Sequence, residues 1–109
     1  MLKKINEIKV NIILPNYNSS EFFEETINSI LNQSFKNWKL IIVDDGSDLD
    51  QKKILQKYTK HNKIKIVFLK KNKGAGFCRN LAMKHSKGDY IAFIDSDDIW
   101  HKNKLLDQI

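Results

Sequence analysis

Four short apolar segments recur along the chain, and each is followed by polar residues typical of a loop. They are rich in β-branched and aromatic residues, which favours buried strands, and they lie at residues 10–14, 38–43, 64–69 and 90–94. Near-continuous apolar strands are typical of parallel sheets with both faces covered. We therefore expect the last of them to be a buried central strand.

Apolar residues between these strands recur at intervals of three and four, which predicts amphipathic helices. The helices are expected at about residues 20–32, 51–58 and 76–87, and a further helical pattern begins near residue 105. Ser19 or Ser20 can cap the first helix. The order β-α-β-α-β-α-β predicts an α/β fold of the Rossmann-like type, with an open, mainly parallel sheet and helices on both faces.

The same pattern predicts which side chains form the core. Each strand is expected to contribute a central core residue: Ile13, Ile42, Val67 and Phe93. Phe22 and Phe23 are expected in the core under the first helix. The inward face of the third helix is predicted to carry Phe77, Leu81, Ala82 and His85. Cys78, beside that face, is expected to be a small packing residue.

Carboxylates directly follow two of the predicted strands. Asp44-Asp45 ends the second strand, and Asp95-Ser96-Asp97-Asp98 ends the fourth. Ligands of open α/β sheets bind beyond the carboxyl ends of the strands, so both segments are candidates for a binding site. In an extended chain Asp95 and Asp97 point to the same side, where a hard divalent cation such as Mg²⁺ would relieve their repulsion. A solvated acidic turn is the alternative interpretation.

Length, charge and cysteine content narrow the classes of function. The chain has 109 residues, the size of one domain, and a single cysteine, so no intrachain disulfide can form. We expect a reducing, cytoplasmic setting, because the sequence shows no export signal and no apolar run of membrane-spanning length. The net charge is +6, but the lysines are scattered along the chain. We therefore expect no nucleic-acid partner.

Several common nucleotide and metal motifs do not fit. Gly74-Ala75-Gly76 is similar to the start of a dinucleotide fingerprint, but Arg79 takes the place of the third glycine. The sequence has no glycine-rich loop that ends in Lys-Ser or Lys-Thr, which excludes a P-loop. One cysteine and three scattered histidines do not supply the ligands of a zinc site.

Four stretches together resemble the N-terminal, nucleotide-sugar-binding half of family-2 glycosyltransferases with the GT-A fold. They are Ile-Ile-Leu-Pro-Asn-Tyr-Asn at 12–18, Val-Asp-Asp-Gly-Ser at 43–47, Asn-Lys-Gly through Cys-Arg-Asn at 72–80, and the Asp-rich stretch at 88–98. One departure is Cys78, where the family usually has alanine. The resemblance covers nearly the whole chain and implies one domain, 1–109, of a GT-A type enzyme whose C-terminal acceptor part is missing.

The resemblance also implies a donor site. The family's donor is a nucleotide diphosphosugar, with a UDP-sugar expected here. The Asp95-Ser96-Asp97 segment corresponds to the family's DxD motif, so Asp95 and Asp97 would hold Mn²⁺ or Mg²⁺. Asp45 would accept a hydrogen bond from the base, and Arg79 would approach the phosphates or the sugar. The implied donor-binding residues are Pro15, Tyr17, Asp45, Arg79, Asp95 and Ser96.

The remaining partners follow from the same resemblance. The acceptor would be a glycan or a lipid-linked molecule, with peripheral association at the inner membrane face through missing segments. An inverting transferase needs a general base, but no residue after Asp98 can be assigned that role, so this chain is expected to bind the donor without transferring sugar.

Two alternatives stay open. One is a phosphohydrolase with Asp95 as nucleophile and Asp97 as acid/base, and the other is a non-catalytic nucleotide-binding module.

Overall fold

The computed structural model describes residues 3–109 and contains four strands and four α-helices. The strands are β1 (Val10–Asn16), β2 (Trp38–Asp44), β3 (Ile64–Phe68) and β4 (Tyr90–Phe93). The helices are α1 (Ser20–Leu31), α2 (Leu49–Gln56), α3 (Ala75–Lys84) and α4 (Lys104–Gln108). A short 3₁₀ helix, Ile5–Glu7, precedes β1 and was not predicted.

All strand pairs are parallel, and the spatial order of the strands is β3-β2-β1-β4. Asn16 pairs with Asp44 at the ends of β1 and β2, and Ile13 pairs with Phe93 at the end of β4. The carboxyl ends of these strands therefore meet at one edge of the sheet. This edge is where ligands of open α/β sheets bind.

The two faces of the sheet carry different helices, because alternate side chains of a strand point to opposite faces. On one face Ile12 and Leu14 pack with buried residues of α1, α2 and α4, including Phe23, Leu55 and Leu105. On the other face Ile13, Ile41 and Val43 pack with Cys78 and Ala82 of α3. The predicted parallel α/β sheet with helices on both faces is confirmed.

The core predictions hold in the middle of the sheet and fail at its β4 edge. Ile13 and Ile42 are fully buried, and Val67 is partly buried. Phe93 is 50% exposed, so its prediction as a core residue is wrong. The reason is that β4 is an edge strand of the described sheet and pairs with β1 alone. Helix α3 packs against β1 and β2, which leaves the Phe93 side of β4 open.

Two helix faces also differ from the prediction. Phe22 is exposed, whereas Phe23 is fully buried. In α3 the inward positions are Cys78 and Ala82, while Phe77 and His85 are exposed. Ala82 is thus inward as predicted, and Leu81, also predicted to be inward, packs against the same cluster, whereas Phe77 and His85 lie outside the contact with the sheet.

The start of α1 follows the prediction only in its position. Ser19 is the N-cap residue, but its hydroxyl donates to the side chain of Asn16 and makes no bond to the helix. The alternative cap, the side chain of Ser20, lies outside what the structure describes. The longest helix between residues 3 and 109 has 12 residues, and none there is long and apolar enough to cross a membrane.

Candidate functional site

A cavity of about 330 Å³ opens at the carboxyl edge of the sheet. Its walls come from the end of β1, the turns after β2 and β4, and the start of α3. All six donor-binding residues predicted from the sequence line it: Pro15, Tyr17, Asp45, Arg79, Asp95 and Ser96. Asp97, the second predicted metal ligand, is not among the lining residues.

Asp44, the last residue of β2, is fully buried and satisfied inside the protein. Its carboxylate accepts hydrogen bonds from Asn16 Nδ2 (3.1 Å), the Ser47 amide (3.1 Å) and Ser47 Oγ (2.6 Å). Ser47 Oγ in turn accepts a bond from the Asn18 amide at 2.9 Å. Asp44 thus ties the ends of β1 and β2 together, and it does not line the cavity.

Asp45 faces the loop between β3 and α3. It is only 4% exposed, and its two carboxylate oxygens each accept a backbone hydrogen bond. Oδ1 accepts from the Lys73 amide at 2.6 Å, and Oδ2 accepts from the Gly74 amide at 2.9 Å. The amide of Asp45 donates to the Asn16 carbonyl at 2.8 Å. Asp45 therefore connects β1, the end of β2 and the loop that leads into α3.

Gly46 allows this loop to approach the end of β2. Its φ is +76°, a conformation that favours glycine. A Cβ atom at this position would lie 2.9 Å from the Asn72 amide nitrogen and 3.0 Å from the Lys71 carbonyl carbon. The glycine between Asp45 and Ser47 is thus required both by its backbone conformation and by the space available.

Arg79 and Asp95 face each other across the cavity. Arg79 lies in the second turn of α3, and its Nη2 is 3.8 Å from Asp95 Oδ1. The side chains are 42% and 65% exposed, so the pair is weak and worth about 0–1 kcal/mol. Both groups therefore stay available to a ligand.

The segment after β4 forms a turn that presents Asp95 and Ser96. The Asp98 amide donates to the Asp95 carbonyl at 3.0 Å, and the Asp98 carboxylate accepts from the Asp95 amide at 3.1 Å. Thr26 Oγ1 in α1 donates to the Ser96 carbonyl at 2.9 Å. Asp98 thus closes the turn, and the hydrogen bond from Thr26 attaches the turn to α1.

The donor set offered to a cation is small. Asp95 and Asp97 are exposed carboxylates, and the described chain contains no group of three or more acidic, histidine or cysteine side chains suited to a metal. Mg²⁺ in phosphate-transferring and related sites is commonly held by one or two carboxylates together with substrate phosphates. Asp95, 3.8 Å from Arg79, fits a cation that arrives with a diphosphate, whereas Asp97 lies in the turn that follows and does not line the cavity.

Cys78 is a packing residue, as expected. It is fully buried against β1 and β2. Burial, reinforced by the nearby Asp45 carboxylate, raises the pKa of the thiol to about 12. The thiol therefore stays protonated at neutral pH, and it cannot serve as a nucleophile, which must be a thiolate.

Four lining residues were missed as site residues: Asn16, Asn72, Gly74 and Ala75. Asn16, Asn72 and Gly74 lie inside stretches that carry the family resemblance, so a signal for them existed. Nothing in the hydrophobic pattern singles them out, because a loop residue's place on a cavity wall depends on how the loop folds back. Ala75 carries no chemical signal and contributes only its position at the start of α3.

A second cavity, of about 340 Å³, lies at the opposite edge of the sheet. It is lined by the amino ends of β1 and β2 and by the lysines Lys9, Lys39, Lys63 and Lys87. None of the residues predicted for donor or metal binding lines it. It is nevertheless the natural competitor for an anionic ligand, because its lining contains four cations.

Comparison with known proteins decides the family. Residues 11–109 match the family model described as "Glycosyl transferase family 2". The chain belongs to glycosyl transferase family 2. The resemblance inferred from the four sequence stretches is therefore confirmed.

Curated relatives agree with this family. The chain is 45% identical over 101 residues to TuaG of Bacillus subtilis, a glycosyltransferase named for teichuronic acid biosynthesis. It is 41% identical over 106 residues to WfgD of Escherichia coli, named as a UDP-Glc:alpha-D-GlcNAc-diphosphoundecaprenol beta-1,3-glucosyltransferase. These matches cover 92% and 96% of the chain but only 40% and 41% of the relatives. The family-2 chain thus spans about two fifths of their length.

Solved structures share the fold. Staphylococcus aureus TarS 1–349, in complex with UDP-GlcNAc, matches with a TM-score of 0.85 at 35% identity over 93% of this chain and 30% of TarS. A mannosyltransferase from Pyrobaculum calidifontis, in complex with GDP-Man and Mn²⁺, matches with a TM-score of 0.77 at 22% identity, covering 84% of this chain and 28% of that protein. That second likeness supports the fold alone. The predicted GT-A type of Rossmann-like fold is confirmed.

Proposed function

We propose that this family-2 chain binds the nucleotide diphosphosugar donor of a glycosyltransferase, with a UDP-sugar as the donor. The complete protein would transfer the sugar to an acceptor hydroxyl with inversion. The observation that carries the proposal is that one cavity at the carboxyl edge of the sheet gathers all six predicted donor residues. That TarS has been solved with UDP-GlcNAc supports the choice of donor.

The chemistry of the cavity walls suggests how the donor lies. Tyr17 is 51% exposed beside Pro15, so its ring offers a flat apolar surface on which a base can stack. Asp45 keeps lone pairs free for a hydrogen bond from the base, because each oxygen has accepted one backbone bond. Arg79, on the other side, presents the planar donors that suit phosphate oxygens.

Asp95 and Asp97 would hold Mn²⁺ or Mg²⁺ together with oxygens of the diphosphate. When bound, such a cation supplies Lewis-acid stabilisation of the charge on the departing nucleoside diphosphate. Arg79 supports the same charge from α3, and Thr26 keeps the Asp95-Ser96 turn in place through the Ser96 carbonyl. Ser96 lines the cavity next to Asp95, where the sugar would lie.

The acceptor is proposed to be a glycan or a lipid-linked sugar, by analogy with the name of WfgD. A cytoplasmic site at the inner face of the membrane would suit such an acceptor, and it is proposed on that ground. We assign no general base, because the cavity carboxylates Asp45 and Asp95 already have other tasks. No contact of Asp95 among the described residues favours the phosphohydrolase alternative.

Titration calorimetry with UDP, with and without Mn²⁺, tests this proposal. We expect UDP to bind the chain with Mn²⁺ and to bind more weakly without it. Asp97→Asn should remove the gain from Mn²⁺, because a neutral amide replaces a charged ligand of a hard cation. Asp107 is an exposed carboxylate in α4, so Asp107→Asn is the control and should bind as the parent does. Equal binding by Asp97→Asn and the parent would show that Asp97 is not a metal ligand.

A further inference from the structure

The loop between β3 and α3 is glycine-bearing and basic, and such loops commonly cradle phosphates with their backbone amides. Here the amides of Lys73 and Gly74 point to a protein carboxylate, that of Asp45. We infer that Asp45 is a positioning residue, which fixes this loop and the start of α3 and so sets Arg79 at the cavity. The identity of the ligand in this inference rests on the proposed function.

The contacts of Asp45 show how firmly the loop is held. The Lys73 and Gly74 amides are successive in the chain, and each donates to a different oxygen of the same buried carboxylate, at 2.6 and 2.9 Å. Hydrogen bonds to an ionised acceptor are about twice as strong as bonds between neutral groups. Because both of these amides already donate to Asp45, they are not the groups that receive the donor's phosphates. That task is left to Arg79 and a cation.

Other contacts transmit the position of the loop to Arg79. Gly74 is the N-cap of α3, and its carbonyl accepts a hydrogen bond from the Cys78 amide at 3.1 Å. Arg79 is the next residue along the helix. Cys78 and Ala82 are fully buried against the sheet, so the helix cannot rotate without losing that packing. The Asp45 carboxylate therefore holds the N-cap residue of α3, while the packing of Cys78 and Ala82 holds the helix from which Arg79 projects.

The other end of the loop is anchored independently. The Leu69 amide donates to the Asp44 carbonyl at 2.8 Å, and the close approach of Gly46 to Asn72 brings the loop against the end of β2. Between these anchors, the Asp45 carboxylate accepts the hydrogen bonds of the Lys73 and Gly74 amides. Without them we expect residues 70–74 to open while the sheet stays folded.

A residue that only reads the base would behave differently. Loss of a base contact weakens uridine and UDP by the same factor and leaves the loop unchanged. Loss of a positioning contact releases the loop, and it weakens UDP more than uridine because Arg79 faces the phosphates. The two roles can therefore be separated by measuring the loop and the two ligands independently.

The first measurement is residue-resolved amide hydrogen exchange without ligand. In Asp45→Asn the carboxylate becomes a neutral amide, so one of the two loop amides keeps only a neutral acceptor and the other faces an NH₂ group and loses its acceptor. We expect the Lys73 and Gly74 amides to exchange about tenfold faster or more, while amides of β1 and β2 keep their protection. Asp50→Asn removes the same charge at an exposed position of α2 and should leave the loop unchanged. Unchanged exchange of both loop amides in Asp45→Asn would overturn the inference.

The second measurement is ligand affinity, with a pair of variants that leave Asp45 intact. Lys73→Pro removes the N–H that donates to Asp45, whereas Lys73→Ala removes the same side chain and keeps the N–H. We expect UDP affinity to fall about tenfold between Lys73→Ala and Lys73→Pro, with a smaller fall for uridine. Equal UDP affinity in the two variants would overturn the inference. This pair decides the matter if Asp45→Asn fails to fold.

The two proposals fail in different ways. If the parent chain binds no UDP, the proposed function is wrong, and hydrogen exchange alone decides whether Asp45 holds the loop. If UDP binds but Asp45→Asn keeps a protected loop and weakens uridine and UDP equally, the donor site stands and Asp45 reads only the base.

Discussion

Asp44 and Asp45 are neighbours in the sequence but lie in different surroundings. Asp44 is consumed by bonds to Asn16 and Ser47 at the ends of the strands, whereas Asp45 lines the cavity and holds a loop. The turn that separates their roles depends on Gly46, whose φ is +76°. At the scale of single residues, therefore, the Asp-Asp-Gly-Ser segment works as one unit.

Gly46→Ala tests this unit. The new methyl group would meet the Asn72 amide nitrogen at 2.9 Å in a backbone conformation that L-residues avoid. We expect the free energy of unfolding to fall by about 1–3 kcal/mol, measured by urea denaturation. Gly76→Ala is the control, because nothing lies within 4 Å of its Cβ position and alanine favours a helix. Equal stability of Gly46→Ala and the parent would contradict the described turn.

The sequence predicted residues of the candidate site, but it did not predict the hydrogen bonds within the site. Charge and position at strand ends pointed to Asp45, Asp95 and Asp97, and the family resemblance added Pro15, Tyr17 and Arg79. The bonds from the loop amides to Asp45 could not be predicted, because they depend on where a loop some 28 residues later folds back. The same holds for Asn72, which lines the cavity only as a result of that fold.

At the scale of elements, the strands and α1 follow directly from the hydrophobic pattern. Apolar runs and helical spacing are local properties, and a sequence displays them. The failures lie where burial depends on a neighbour. The pattern of β4 is that of a buried strand, yet the strand is an edge of the described sheet with Phe93 half exposed. In α3 Ala82 is inward as predicted, but the pattern placed the larger Phe77 on the inward face and the buried Cys78 beside it.

The contact between α3 and the sheet can be tested through the thiol of Cys78. Burial raises its pKa from 9.0 to about 12. An exposed thiol is half ionised at pH 9, whereas this thiol should stay protonated until the pH approaches about 12. We therefore expect iodoacetamide to alkylate the folded chain slowly at pH 9 and the urea-unfolded chain rapidly. The rates are measured by mass spectrometry.

The same pKa shift predicts how the free energy of unfolding changes with pH. Because the pKa of the thiol is higher in the folded chain than its ordinary value, its contribution to stability is fully present below about pH 9. That contribution is lost as the pH rises towards about 12, since only the unfolded thiol ionises in that interval. Cys78→Ala lacks this contribution and serves as the control for the dependence of stability on pH.

In the alkylation experiment, rapid reaction of the folded parent at pH 9 would show that α3 does not cover the thiol.

At the scale of the whole molecule, the parallel sheet separates two cavities of similar volume. One lies at the carboxyl edge and contains Arg79 with Asp45 and Asp95, and the other lies at the amino edge among four lysines. β1 has seven residues, so the two edges are about 20 Å apart. With a net charge of +6, the molecule attracts anions in general, and affinity for UDP alone does not say which cavity is occupied.

The most direct test is therefore a map of where UDP binds. Uniformly ¹⁵N-labelled chain is titrated with UDP in the presence of Mg²⁺, and amide chemical-shift changes are followed residue by residue. We predict that the largest changes fall on Tyr17, Asp45, Gly74, Arg79 and Ser96 at the carboxyl edge. Inorganic pyrophosphate, titrated in the same way, controls for attraction of an anion by the lysines. Changes that cluster on Lys39, Lys63 and Lys87 with both ligands, and leave the carboxyl edge unmoved, would contradict a donor site there.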